Sequence, residues 1–379
     1  MATNKILSVL TVLMTCSQPS FAQDITTDTT LANNYFEKAG LFQDSLQYDS
    51  AIVYFEKASG LYQEYGQWRN YLQSEAIHGV CYQKQWQIDL AIATIKPAIN
   101  ISLQHIKEKD TIVANTYSYL GLLYYYQSKN DSALSYWEKT LEIRKELLGE
   151  KHTSVARDYN NIGVVYDIKN EYDLALQYYF KSLEIHKELL GEKHADVANS
   201  YNNIGMVYNT KSEYDLALQY YFKSLEIRKE LLSEKHTDVA DSYINIGAVY
   251  NDKNECDLAL HYYFKSIEIY KELLGEKHSV VALGYNNIGV VYNGKKEYDL
   301  ALQYYFKSLE IHKELLGEKH SDIASFYNNI GIVFYEKSEY DLALQYCLES
   351  LEIHKELLGE KHADVANSYN NIGMVYNAK

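Results

Sequence analysis

Apolar residues in this chain recur at helical spacing, and the helical segments themselves recur every 42 residues. Tyr159, Ile162, Gly163 and Tyr166 stand at i, i+3, i+4 and i+7, and Leu174, Ala175, Tyr178, Tyr179 and Leu183 follow the same rhythm in the next segment. That rhythm lines one face of a helix, so each unit is predicted to hold two amphipathic helices. Short polar stretches such as Lys169-Asn170-Glu171 separate the two. A Gly or Ser stops the second helix, at Gly149, Gly191, Ser233, Gly275, Gly317 and Gly359. Glu-Lys-His follows, then a residue suited to cap the next helix, as Asp196, Asp238, Ser279 or Asp322.

The register is strict. Tyr117, Tyr159, Tyr201, Tyr243, Tyr285, Tyr327 and Tyr369 are each followed four places on by Gly121, Gly163, Gly205, Gly247, Gly289, Gly331 and Gly373. A fixed period of roughly 20 to 50 residues signals a stacked array in which each unit packs on its neighbours. Weaker copies extend it toward the N-terminus, one through Tyr35, Ala39, Phe42, Ala51, Phe55 and Ala58 and another through Gly79, Tyr82, Ala91, Ile95 and Ala98. Eight full repeats and half of a ninth are expected over residues 31–379, as one continuous domain.

These positions resemble the tetratricopeptide repeat: aromatic, large aliphatic, small and aromatic residues at Tyr159, Ile162, Gly163 and Tyr166, then Ala175, Tyr179 and Ser182 on the second helix. The unit is longer than the usual ~34 residues. With its Asn-Asn pair before the Gly it is similar to the kinesin-light-chain type, which also occurs in bacterial arrays. The family's terminal Pro is missing, and Gly does the stopping. The resemblance implies an all-α fold, a right-handed superhelical solenoid of antiparallel helix pairs.

Residues 1–22 stand apart. Lys5, the apolar run Ile6 to Met14 and Ser20-Phe21-Ala22 before Gln23 have the layout of a secretory signal peptide. That layout predicts export to the periplasm or cell envelope, with a short linker at 23–30; a cytoplasmic location is the alternative. Leu13-Met14-Thr15-Cys16 competes with it as a lipoprotein cleavage box, with Cys16 as the lipid bearer, although Thr fits poorly before that Cys. The apolar run is too short to span a bilayer. Cys81, Cys256 and Cys347 have no metal-like spacing and read as small buried residues.

The formal net charge of −15 is spread as mixed Glu, Asp and Lys. Without a basic footprint, nucleic acid and anionic lipid surfaces are poor partners. Most of the 39 Tyr occupy register positions that fill the helix interface. Tyr125, Tyr126 and Tyr335 fall instead where a groove residue belongs. His152, His194, His236, His278, His320 and His362 form a ladder one repeat apart, too widely spaced to share a metal, which points to loop capping. Phosphate loops, zinc-protease helices and nucleophile elbows are absent from the sequence, so no catalysis, cofactor or metal is expected.

Function then falls to the surface of the stack. Opposite the packed face of the first helix run Arg157, Asn160, Asn161, Val164, Asp167 and Ile168. In tetratricopeptide arrays the matching stripe lines a concave groove. Asn160-Asn161, Asn202-Asn203, Asn286-Asn287, Asn328-Asn329 and Asn370-Asn371 make an asparagine ladder, interrupted where Ile244 precedes Asn245. A carboxamide donates and accepts, which suits the main chain of an extended peptide or partner helix. Val164, Met206 and Val290 lie alongside. The same asparagines would equally serve to satisfy neighbouring helices. Residues 183–209 and 351–377 are identical, which reads as recent duplication.

Two functions follow. One is a non-catalytic protein interaction scaffold. The other is the sensor or docking part of a larger signalling protein, as in bacterial proteins where such repeats precede a histidine kinase or caspase-like protease. Ile372, Val375 and Tyr376 occupy core positions of a last helix with no second helix after it, which suggests a fragment or an array that continues.

Overall fold

The structure is a computed structural model that describes residues 29–379. The expected leader at 1–22, Cys16 and most of the 23–30 linker lie outside the described residues. Among those described, 17 helices and no strands are found. They pair as hairpins: α1 and α2 (Thr30–Asp44, Tyr48–Glu64), α3 and α4 (Trp68–Lys84, Ile88–Ser102), α5 and α6 (Thr111–Tyr126, Asn130–Leu148), α7 and α8 (Thr153–Ile168, Tyr172–Leu190). The pattern goes on with α9 and α10 (Ala195–Thr210, Tyr214–Leu231), α11 and α12 (Thr237–Asp252, Cys256–Leu274), α13 and α14 (Ser279–Gly294, Tyr298–Leu316), α15 and α16 (Ser321–Glu336, Tyr340–Leu358). A single helix, α17 (Ala363–Ala378), ends it.

The chain divides into two compact units, Met1–Leu189 and Leu190–Lys379. In the first, the main core gathers Leu72, Ile95, Leu120, Leu123, Trp137 and Ile162. Helix α5 is apolar on nearly every side and is buried accordingly from Ile112 to Tyr124, Asn115 excepted. Tyr125 and Tyr126 are only half-buried, their rings against Trp137 and Trp86. In the second unit one core runs from α10 to α14 and another from α14 to α17.

From the second hairpin to the eighth, the recurring Gly of the first helix is a contact with the second helix. On α9, a Cβ at Gly205 would stand 2.9 Å from the Tyr221 ring of α10. Only hydrogen leaves room for the ring, which is how a poor helix former earns its place in a helix interior. The turn from first to second helix uses left-handed backbone at Ser128, Asn170, Ser212, Asn254, Lys296 and Ser338, none of them Gly. The second helix ends on a Gly with φ between 77° and 88° in five repeats. Where Ser233 replaces it, α10 stops a residue early and Leu232 becomes the cap at φ −112°.

The helix starts differ from expectation. His, not the following Asp or Ser, is the N-cap: Nδ1 of His194 accepts the Asp196 backbone N–H at 3.1 Å. His152, His236, His278, His320 and His362 repeat the bond. A β-region backbone places the ring over the first turn, so imidazole does what Ser or Asp usually does. The His ladder is thereby accounted for, and among the described residues no three metal-ligating side chains converge.

Lysines in the loops bridge successive repeats. In the second unit Lys253, Lys295 and Lys337 each reach back 2.9 Å to Asp215, Asp257 and Asp299. Lys193, Lys235, Lys277 and Lys319 reach forward to Glu230, Glu272, Glu314 and Glu356. Such exposed pairs are worth little singly. Repeated along the second unit, they tie consecutive hairpins at both loop edges.

Candidate partner-binding face

The first helices of successive repeats lie close enough for their outward residues to bond. Asn245 Nδ2 donates to Asn202 Oδ1 at 2.9 Å, Asn329 to Asn286 at 3.1 Å, and Asn371 to Asn328 at 2.6 Å. The second Asn of one repeat thus bonds the first Asn of the repeat before it. Asn202 also points its Nδ2 at Met206 Sδ, 3.6 Å away. Each such bond uses one donor and one acceptor of carboxamides that hold two donors and two lone pairs apiece.

The ladder breaks where the sequence breaks it. Asn287 would find its acceptor at position 244, which is Ile, and no side-chain bond to Asn287 forms. Ile244 instead packs against the core of the second unit, as Met206 does. Exposed Leu283 and Val290 sit on the same helix as Asn286 and Asn287, giving that level an apolar character.

Exposure varies along the stripe. Asn370 is exposed, whereas Asn202, Asn245, Asn286, Asn287, Asn328, Asn329, Asn371, Asn160 and Met206 are half-buried. Asn161, Val164 and Asn203 are buried. Those three side chains are not open to a partner in this arrangement. In the second unit the remaining asparagines of the stripe are half-buried or exposed.

In a second set of polar residues, only the histidines His312 and His354, which recur with His186 inside the second helix, are marked by the sequence. The set lies at the joint where a second helix meets the first helix of its own repeat and that of the next. Arg144 is buried there, its guanidinium donating to Asp158 at 2.6 Å and to Asn115 at 2.8 Å. Burial pushes the Asp158 carboxyl up to about 7, while Arg144 pulls it down. In the second unit the same seat holds Arg228 on Ser242 and Asn199, then Tyr270 donating to Asp241, then His312 against Phe326 at 4.7 Å, then His354 on Ser368 at 3.1 Å. The clue was available: positions 144, 228, 270, 312 and 354 share the register yet differ in chemistry.

Burial lowers the pKa of His312 and of His354. An unfolded His takes its proton near pH ~6.5, and the folded joint resists it. The unfolded state therefore binds more protons below that pH, so this stability is complete above it and is lost as pH falls. The urea midpoint is expected to drop between pH 7.5 and 5, and the drop should shrink in His312→Gln/His354→Gln. An equal drop in the variant would assign the effect to other groups.

Comparisons with known proteins agree with this geometry. A tetratricopeptide repeat family model matches residues 112–188, 169–230, 196–272, 280–346 and 322–379. Among curated proteins, none matches the chain. Among solved structures, the apo form of RapI is 21% identical, covers 76% of this chain and 98% of its own, and superposes with a TM-score of 0.56. A Rap protein complexed with competence and sporulation factor is 13% identical over 92% of this chain and 98% of its own, at a TM-score of 0.52. BtubC (BKLC) from P. vanneervenii is 22% identical over 66% and 94% of the two chains, at 0.51. At these identities the likeness is one of fold.

Proposed function

Because the chain belongs to the tetratricopeptide repeat family, whose model spans more than half of it, we propose that it is a non-catalytic interaction scaffold that binds an extended peptide or a partner helix along the first-helix face. The observation that carries this is the asparagine ladder of the second unit, which bonds from repeat to repeat through half-buried carboxamides. Regularly spaced carboxamides read a main chain rather than a particular side chain. The apolar level around Ile244, Leu283 and Val290 supplies a place for one non-polar anchor. The solved complex of a Rap protein with competence and sporulation factor is in keeping with a ligand held by an array of this fold. The leader-like residues 1–22 favour partners in the cell envelope, and formal charge of −15 favours a protein over nucleic acid.

Affinity capture with the chain against envelope and secreted proteins, followed by peptide mapping, tests this reading. Asn245→Ala/Asn287→Ala/Asn328→Ala should weaken the captured ligand about ten-fold or more, at roughly 0.5–1.5 kcal/mol per lost hydrogen bond, with helical content unchanged. Undiminished affinity would move the site off this face.

A further inference from the structure

The second helices of the second unit turn one long side to solvent. On α10 that side runs through Leu216, Gln219, Phe222, Glu226 and Glu230, three or four residues apart and all exposed. The matching positions of α12 and α14 are exposed too. Each helix is thus apolar where this side begins and acidic where it ends. The apolar ends join across the helices, because the Phe222 ring meets Tyr262 of α12 edge-on at 6.1 Å and the Phe264 ring meets Tyr304 of α14 at 6.0 Å between centroids. Phe306 is backed in turn by Tyr346 of α16. Leu216, Leu258, Leu300 and the three phenylalanines make one strip, each side chain between 36% and 42% exposed. A continuous apolar strip, unlike scattered surface residues, marks an interaction site.

The acidic ends make a second strip beside the first. Each level has two carboxylates and one ammonium to share. Lys193 bonds Glu230 and is acted on by Glu226 from farther off, Lys235 stands so between Glu272 and Glu268, and Lys277 between Glu314 and Glu310. One negative charge per level is left over. The exposed lysines of the same helices lean away toward their own first helices. Lys223 holds its ammonium 5.4 Å from the Tyr201 ring, Lys265 5.4 Å from Tyr243, and Lys307 5.6 Å from Tyr285.

We propose that this side of α10, α12 and α14 docks a basic amphipathic helix of a protein partner, laid across the three with its apolar stripe on the Leu/Phe strip and its Lys/Arg stripe on the Glu strip. Charge complementarity selects the occupant: surplus carboxylates beside an apolar strip attract a cationic helix and repel an acidic helix or an anionic membrane. A second copy of this chain would bring the same acidic side and is disfavoured on that ground. The spacing fits as well. Packed helices stand about 10 Å apart, and seven residues of helix rise about 10.5 Å, so a partner with a seven-residue apolar and basic period meets every level alike. Phe222 and Glu226 lie about 6 Å apart along α10, within the width of one helix. This side is distinct from the asparagine face and does not depend on its role.

A fluorescent peptide of three identical units, each Leu-Ala-Ala-Lys-Leu-Ala-Lys, titrated into the full chain and followed by anisotropy, tests this. Saturable binding is expected, weakened by added salt. It should be about ten-fold weaker or more for Phe222→Ser/Phe264→Ser/Phe306→Ser and, independently, for Glu226→Gln/Glu268→Gln/Glu310→Gln, with circular dichroism verifying that both variants fold. A peptide of the same composition, shuffled to scatter the lysines around the helix, should bind more weakly by a similar factor. Asn245→Ala/Asn287→Ala/Asn328→Ala should bind the peptide unchanged, which separates this side from the asparagine face. Absence of saturable binding, equal binding of the shuffled peptide, or indifference to the Glu→Gln variant would overturn the proposal. Binding of uncharged phosphatidylcholine vesicles in place of the peptide, lost in the Phe→Ser variant, would also overturn it, in favour of a lipid surface.

Discussion

Gly205→Leu is expected to destabilise the second unit by about 3 kcal/mol, while Gly373→Leu, in the same stretch of sequence, is expected to be neutral or to add up to ~1 kcal/mol. Leu is a far better helix former than Gly, so propensity favours both changes equally. The difference is the neighbour. At Gly205 even the first added carbon lies 2.9 Å from the Tyr221 ring, and the rest of the Leu side chain has to push a buried aromatic aside. At Gly373 nothing stands within 4 Å. Urea melts of the two variants read the contrast, and equal midpoints would mean that ring contact is not what keeps Gly in the register.

The second large effect is expected at the buried joint of the first unit. Arg144→Ala leaves the Asp158 carboxyl buried without its cation and Asn115 without its donor, a loss of about 3–5 kcal/mol for breaking a buried pair from one side. Burial already raises the Asp158 pKa to about 7, and without the guanidinium nothing nearby opposes that rise except Arg157. The cost of the variant should therefore shrink as pH falls and the carboxyl takes a proton without penalty. Replacing the whole set, Asn115→Ser/Arg144→His/Asp158→Ser, installs the residues found at Ser325, His354 and Ser368 and should recover most of the stability. If the triple variant is no better than Arg144→Ala, the joint depends on its wider surroundings rather than on matched side chains.

Why the hairpins were legible and the joints were not follows from what periodicity reports. Tyr201, Ile204, Gly205 and Tyr208 recur with the period because every repeat solves the same packing problem between its own two helices, so a single chain contains many copies of the answer. The positions that differ between copies, Arg144, Arg228 and Tyr270 beside the repeated His312 and His354, solve the joint problem in several ways, and a strict repeat does not mark them. The asparagine ladder stands between these cases. Its residues were plain, but whether they faced a ligand or one another depended on how near consecutive first helices come, which a spacing along the chain does not contain. The His ladder was read as loop capping, yet its place as the helix N-cap was not, because imidazole is an uncommon N-cap and an Asp two places later drew that expectation.

The varied joints also bear on how such an array changes its length. Each hairpin is a tile whose interior is interchangeable with any other, and tracts as alike as residues 183–209 and 351–377 invite gain or loss of whole tiles. The edges are not interchangeable. Removing residues 242–283 would set Gly284 where Arg228 now finds Ser242, leaving a half-buried guanidinium short of an acceptor. Copy number is thereby open to drift in the coding sequence, yet only splices that match polar edge to polar edge yield a chain that stacks without a fault.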